Sequence, residues 1–131
     1  MGSLANPGKR PKVLVVEDEF IIALDLSDTV RTLGYALDGP YPDNENAFVA
    51  IDREMPDIAI LDVCTGDGEV YPLADALTEA GVPIIFHSGH ASYEEMHQRY
   101  PDAIACAKPC SPDKLVEALQ KASQMSPILR H

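Results

Sequence analysis

The chain has 131 residues, a formal net charge of −11, and 46% hydrophobic and 24% charged residues, the length and composition of one globular domain around one core. A surface this acidic repels a phosphate backbone, which disfavours direct nucleic-acid binding, and no apolar run approaches the span of a bilayer, which argues against a membrane segment. The cysteines, Cys64, Cys106 and Cys110, are odd in number, lack metal-ligand spacing and follow no secretory leader pattern, so free thiols in a reducing cytoplasm are the expectation.

Residues 1 to 11 carry Gly, Pro, Asn and Ser without an apolar period and read as a mobile leader. One domain is expected over 12 to 124, with 125 to 131 a tail too short for an output module. Apolar runs suited to buried strands fall at 13–16 (VLVV), 35–39 (a weaker YALDG), 58–61 (IAIL), 82–87 (VPIIFH) and 103–107 (AIACA). Helical patterns separate them, with Gly34 and Gly81 as stops, and Ser111 and Pro112 as N-cap and first-turn proline of the last helix. In the first helix Ile22, Ala23, Leu26, Val30 and Leu33 share one face and are expected in the core. Phe20, Ile21 and Leu24 lie off that face, either as a candidate docking patch or as ordinary exposed apolar side chains. Five alternations of strand and helix imply an α/β fold: a five-stranded, mainly parallel sheet with helices on both faces and ligands at the carboxyl ends of the strands.

Four polar features fall at those carboxyl ends: Glu17-Asp18-Glu19, Asp62, Ser88 and Lys108-Pro109. Crowded carboxylates repel unless a cation compensates or one of them holds a proton. Mg²⁺ meets that need with oxygen ligands, and Mn²⁺ is the alternative. Asp18 and Asp62 are the expected direct ligands, with Glu17 holding a water and the backbone carbonyl of Cys64 completing the set. A carboxylate is also a nucleophile toward phosphorus, in a transfer that depends mostly on positioning and charge neutralisation. Asp62 would then accept a phosphoryl group whose oxygens meet Lys108, Ser88 and the metal. Taken singly, Lys108-Pro109 is an ordinary turn and Glu17-Asp18-Glu19 an acidic helix start; the joint placement carries the functional expectation.

In order and spacing, VLVVEDEF, AILDV, FHSG and CAKP resemble the signature blocks of response-regulator receiver domains of two-component and phosphorelay signalling, over roughly residues 12 to 124. The resemblance implies a flavodoxin-like fold with strand order 2-1-3-4-5. It also implies a Mg²⁺-dependent phosphoacceptor at Asp62, supplied by a sensor histidine kinase or a histidine phosphotransfer protein and acting on a downstream protein. Such a domain is a signalling module, not an enzyme beyond its own phosphotransfer and dephosphorylation. FHSG with the following GHAS is similar to a bacterial subgroup in which single-domain members are frequent; the chain reads as a stand-alone receiver, either natural or cut from a longer regulator. Receivers often dimerise through the fourth helix, fifth strand and fifth helix, where Tyr93, Met96, Tyr100 and Leu115 are candidate contacts or, equally, core.

Three positions depart from the pattern. Ala105 replaces the aromatic residue that most receivers carry three positions before the lysine, so the usual aromatic relay is absent. Cys64 and His90 occupy the two positions that in the family tune phosphoryl hydrolysis. The Cys64 thiol is expected to be inert, because nearby carboxylates disfavour the thiolate. His87 and His90 offer no established metal spacing and are expected to be structural or surface residues. Among rivals, a flavin-binding module needs a phosphate-cradling loop where Glu17-Asp18-Glu19 would repel it. An aspartyl-phosphate phosphatase needs an acid at the position of Cys64 and more chain for a cap. A phosphorylation-independent adaptor is the nearest alternative, opposed by the retention of Asp18, Asp62, Ser88 and Lys108.

Overall fold

The computed structural model describes residues 10–89 and 93–126. In chain order the elements are β1 (Lys12–Val16), α1 (Phe20–Thr32), β2 (Ala36–Tyr41), α2 (Asn44–Arg53), β3 (Ile58–Asp62), β4 (Cys64–Thr65), β5 (Gly68–Glu69), α3 (Tyr71–Glu79), β6 (Ile84–Ser88), α4 (Tyr93–Arg99), β7 (Ile104–Ala107) and α5 (Pro112–Met125). Strands β2-β1-β3-β6-β7 form a five-stranded sheet in that order, parallel throughout. Counting only its strands, this is the expected 2-1-3-4-5. Among the described residues no helix is long and apolar enough to cross a membrane.

The three inner strands are buried almost end to end, and the edge strands β2 and β7 only partly. Continuous apolar runs mark the inner strands because both sheet faces are covered. Alternate residues serve two separate cores. Leu14, Val16, Leu61 and Phe86 pack with residues of α2, α3 and α4. Val13, Val15, Ile60 and Ile85 pack with Leu26 and Val30 of α1 and Leu115, Ala118 and Leu119 of α5. At the helix starts, the Asp43 side chain accepts from the Asn46 amide to cap α2, and Ser111 accepts from the Lys114 amide to cap α5.

Several expectations are corrected. Leu33 is 39% exposed, because α1 ends at Thr32 and Leu33 is already its C-cap. Of the two readings of Met96, Tyr100 and Leu115, the core one holds, since all three are buried in the two cores; the Tyr93 side chain lies outside the described residues. The stretch after Asp62 is not plain loop, since Cys64 and Thr65 pair antiparallel with Glu69 and Gly68. Asp67 at its tip accepts from the Asn44 and Glu45 amides, fastening this hairpin to the start of α2. The cysteines are not all free: Cys106 and Cys110 are joined by a disulfide with Cα atoms 5.8 Å apart. A count of cysteines could not show that the turn from β7 into α5 folds back far enough to pair them.

Pairing of β1 with β2 shifts register between Leu14 and Val16, where Leu14 faces Asp38 but Val16 faces Tyr41. The bulge brings the Tyr41 carbonyl to the Glu17 amide at 2.9 Å, so it helps fix the first acidic residue of the rim. Gly39 makes the bulge possible: its φ is +119°, and a Cβ there would lie 2.7 Å from the Val15 carbonyl oxygen. Gly39→Ala should cost at least ~2 kcal/mol, strain plus clash. At Gly34, which has φ +91° but open space, the same change should cost about 1 kcal/mol from φ alone. Urea-denaturation midpoints test this ranking, and equal losses at the two sites contradict it.

Candidate functional site

The carboxyl ends of the parallel strands bring Glu17 and Asp18 from beyond β1, Asp62 from the end of β3, Ser88 from the end of β6 and Lys108 from just beyond β7 to one rim. Carboxylate oxygens of Glu17, Asp18 and Asp62 all lie within 4.8 Å of one another, with Glu17 and Asp62 buried and Asp18 exposed. The Lys108 ammonium stands among them, 3.2 Å from Asp62 Oδ2, 3.3 Å from Glu17 Oε1 and 3.4 Å from Glu19 Oε1. Four sequence-predicted residues are therefore one cluster.

The cluster's internal bonds decide its charge state. Burial opposes ionisation of Glu17, but the hydrogen bond to His87, the Glu19 amide and the Lys108 charge outweigh it and bring the carboxyl down to about 2. Burial also acts on Asp62, and there the charge of Glu17 adds to it. Together they prevail over Lys108 and the Cys64 amide and push Asp62 up to about 6. Burial alone would lower the Lys108 ammonium, but the charges of Asp62 and Glu17 raise it instead. An ionised Glu17 carboxylate thus stands beside an Asp62 carboxyl that ionises only as pH rises through about 6.

Around this centre, the Cys64 amide donates to Asp62 Oδ1 at 3.3 Å. Ser88 is buried, its hydroxyl donates to the Gly89 carbonyl at 3.1 Å, and its own carbonyl accepts from the Lys108 amide at 2.9 Å. The structure thus ties Ser88 to Lys108 by backbone while its hydroxyl engages its own turn. Phe20, Ile21 and Leu24 are exposed on the first turns of α1, immediately after Glu19. His90 lies outside the described residues.

Sequence reasoning assigned no partner to His87 and no contact to Glu19. His87 is buried, and its Nδ1 is 3.3 Å from Glu17 Oε1. The signal was present: His87 lies two residues beyond Ile85, which faces the α1 and α5 core, so strand alternation points it inward.

No protein-family model matches the chain. Over 114 residues it is 29% identical to the transcriptional regulatory protein PdtaR of Mycobacterium tuberculosis, covering 85% of this chain and 56% of that protein. It is 27% identical over 114 residues to the phyllosphere-induced regulator PhyR of Methylorubrum extorquens, covering 85% and 43% respectively. The chain thus spans about half the length of the curated relatives it matches. Its fold superposes with a TM-score of 0.73 on the signal receiver domain of a modulated diguanylate cyclase from Desulfovibrio desulfuricans, at 28% identity over 87% of this chain and 94% of that one.

In sequence and fold the chain is similar to response-regulator receiver domains. The receiver fold accounts for the meeting of Glu17, Asp18, Asp62 and Lys108, since its strand order sets the ends of β1 and β3 side by side at the sheet's centre.

The raised Asp62 carboxyl has a consequence for stability. A carboxyl whose folded-state value lies above its unfolded one favours the fold when protonated and opposes it when ionised. In protein free of divalent cations, Asp62→Asn should therefore be more stable than wild type at pH 7, by on the order of 1–3 kcal/mol. That advantage should shrink as pH falls through about 6 and vanish near pH 4. Thermal melts across this range test the sign; a less stable Asp62→Asn at pH 7 contradicts it.

Proposed function

We propose that Asp62 accepts a phosphoryl group from the phosphohistidine of a sensor histidine kinase or histidine phosphotransfer protein, in a Mg²⁺-dependent reaction, and that phosphorylation changes the protein contacts of the domain. The observation that carries this proposal is Lys108 Nζ at 3.2 Å from Asp62 Oδ2 within a cluster of three close carboxylates. A phosphoryl group joined to Asp62 would find a cation already at hand.

The donor set suits a hard divalent cation, because three carboxylates share one ammonium and an excess of negative charge remains. Asp18, Asp62 and the Cys64 carbonyl would hold Mg²⁺ directly and Glu17 through a water, with Mn²⁺ serving by the same oxygen chemistry. The ion, when bound, neutralises charge on Asp62 and on the incoming phosphoryl oxygens. An Asp62 oxygen attacks phosphorus, an O–P bond forms, and the P–N bond of the phosphohistidine breaks with its electron pair returning to the imidazole. The Cys64 amide and Lys108 orient the attacking carboxylate, and Lys108 then contacts a phosphoryl oxygen.

Ser88 supplies the movement. To donate to a phosphoryl oxygen, its hydroxyl must leave the Gly89 carbonyl, and that exchange draws the turn after β6 toward Asp62. With Ala105 in place of an aromatic relay, the turn's displacement is itself the output that a downstream protein reads. The exposed Phe20, Ile21 and Leu24 flank the acidic rim and suit docking of the phosphodonor protein.

Incubation with acetyl phosphate and Mg²⁺ should add the mass of one phosphoryl group to the chain, and Asp62→Asn should abolish the addition. Asp18→Ala should remove most of the Mg²⁺ dependence. An unchanged wild-type mass would favour the phosphorylation-independent adaptor, and equal Mg²⁺ affinity in Asp18→Ala would remove Asp18 from the ligand set.

A further inference from the structure

Lys108 sits inside a covalent ring. Cys106 belongs to β7, Cys110 directly precedes the α5 cap Ser111, and their disulfide closes a five-residue loop whose interior is Ala107, Lys108 and Pro109. The segment is held at one end by the bond from the Lys108 amide to the Ser88 carbonyl and at the other by the Ser111 cap. Between these anchors the disulfide fixes the path of the backbone that carries the ammonium into the acidic cluster.

The two sulfurs are unequally placed. Cys106 is 5% exposed, whereas Cys110 is half-buried and lines a cleft of about 310 Å³ between α1 and the start of α5, together with Ile22, Leu26, Pro109 and Leu115. A thiol entering that cleft meets Cys110 first.

We propose that the Cys106–Cys110 disulfide is a thiol–disulfide exchange site that sets how firmly Lys108 is held against Asp62 and Glu17, so that the redox state of the chain tunes its acidic site. The consequence for phosphotransfer rests on the role given to Lys108 above. The reductant is a dithiol. One of its thiolates attacks Cys110 Sγ, forming a mixed disulfide and breaking the bond to Cys106, whose sulfur leaves as a thiolate and takes a proton. The second thiol of the reductant, as thiolate, then attacks its own sulfur in the mixed disulfide and releases Cys110. The protein disulfide gains two electrons and the dithiol becomes a disulfide.

Opening the ring returns backbone freedom to the segment bearing Lys108. Re-ordering one residue's backbone costs enough to change an equilibrium about fivefold or more. Two opposite effects follow. Lys108 competes with a divalent cation for Asp62 and Glu17, so the reduced chain should bind Mg²⁺ about fivefold more tightly; it should also be labelled by acetyl phosphate about fivefold more slowly, because Lys108 is less well placed.

The test compares the wild-type chain oxidised with diamide and the same chain reduced with dithiothreitol and then desalted. Iodoacetamide adducts counted by mass should number one in the oxidised form, at Cys64, and three in the reduced form. Mg²⁺ affinity by calorimetry and labelling rate are then measured in both forms. In Lys108→Ala, reduction should leave Mg²⁺ affinity unchanged, a result that general loosening of the fold would not give. Three adducts after diamide treatment overturn the proposal, as does an equal Mg²⁺ affinity in two forms that alkylation distinguishes. Absence of labelling in both forms would count against the phosphoacceptor role, while the Mg²⁺ titration would still judge the exchange site.

Discussion

At the carboxyl rim of the sheet one ammonium faces an excess of acid. Lys108 lies 3.2 to 3.4 Å from Asp62, Glu17 and Glu19, and Glu17 and Asp62 are both buried. Burying two carboxylates side by side without a partner would cost several kcal/mol per ion, so the local structure is organised around delivering that cation. The bulge at Gly39 anchors Glu17, His87 and the Glu19 amide hold its carboxylate, the Cys64 amide holds Asp62, and the ring closed by Cys106 and Cys110 carries Lys108. The compensation is incomplete, as the raised Asp62 carboxyl records. A site in this state attracts a further positive charge.

Much of this was legible in the sequence because the fold converts chain order into position. Unbroken apolar runs identified the inner strands, since β1, β3 and β6 are covered on both faces, and polar residues immediately after such runs had to lie on one rim. What escaped depended on contacts between segments that no local period encodes. Two-residue strands such as β4 and β5 are too short for an alternating pattern, and their pairing relies on Gly68 with φ +118° and on Asp67 reaching the α2 amides. The Cys106–Cys110 link depends on how the turn into α5 folds. His87 was assigned no partner because its neighbour Glu17 is 70 residues away in sequence, although strand alternation pointed it inward. Leu33 was misplaced by extending a helical period one residue past the point where the helix stops.

In the proposed switch, input and output are separable. The proposed input chemistry is concentrated in Asp62, Lys108 and the acids beside them. Its proposed output path starts at Ser88, whose hydroxyl is engaged with Gly89 and whose backbone is bonded to Lys108. A change at either residue is transmitted to the other without an intervening aromatic side chain. On that proposal, a covalent constraint on Lys108 bears on the switch as well as on the proposed metal site.

The account stands on Asp62 being the phosphorylated atom's owner, and locating the phosphoryl group tests it most directly. After treatment with acetyl phosphate and Mg²⁺, borohydride reduction converts an aspartyl phosphate to homoserine, which peptide mass spectrometry can place in the chain. Homoserine at position 62, and at no other acidic residue of the rim, is the result expected; homoserine at Asp18 or elsewhere with Asp62 intact would contradict it.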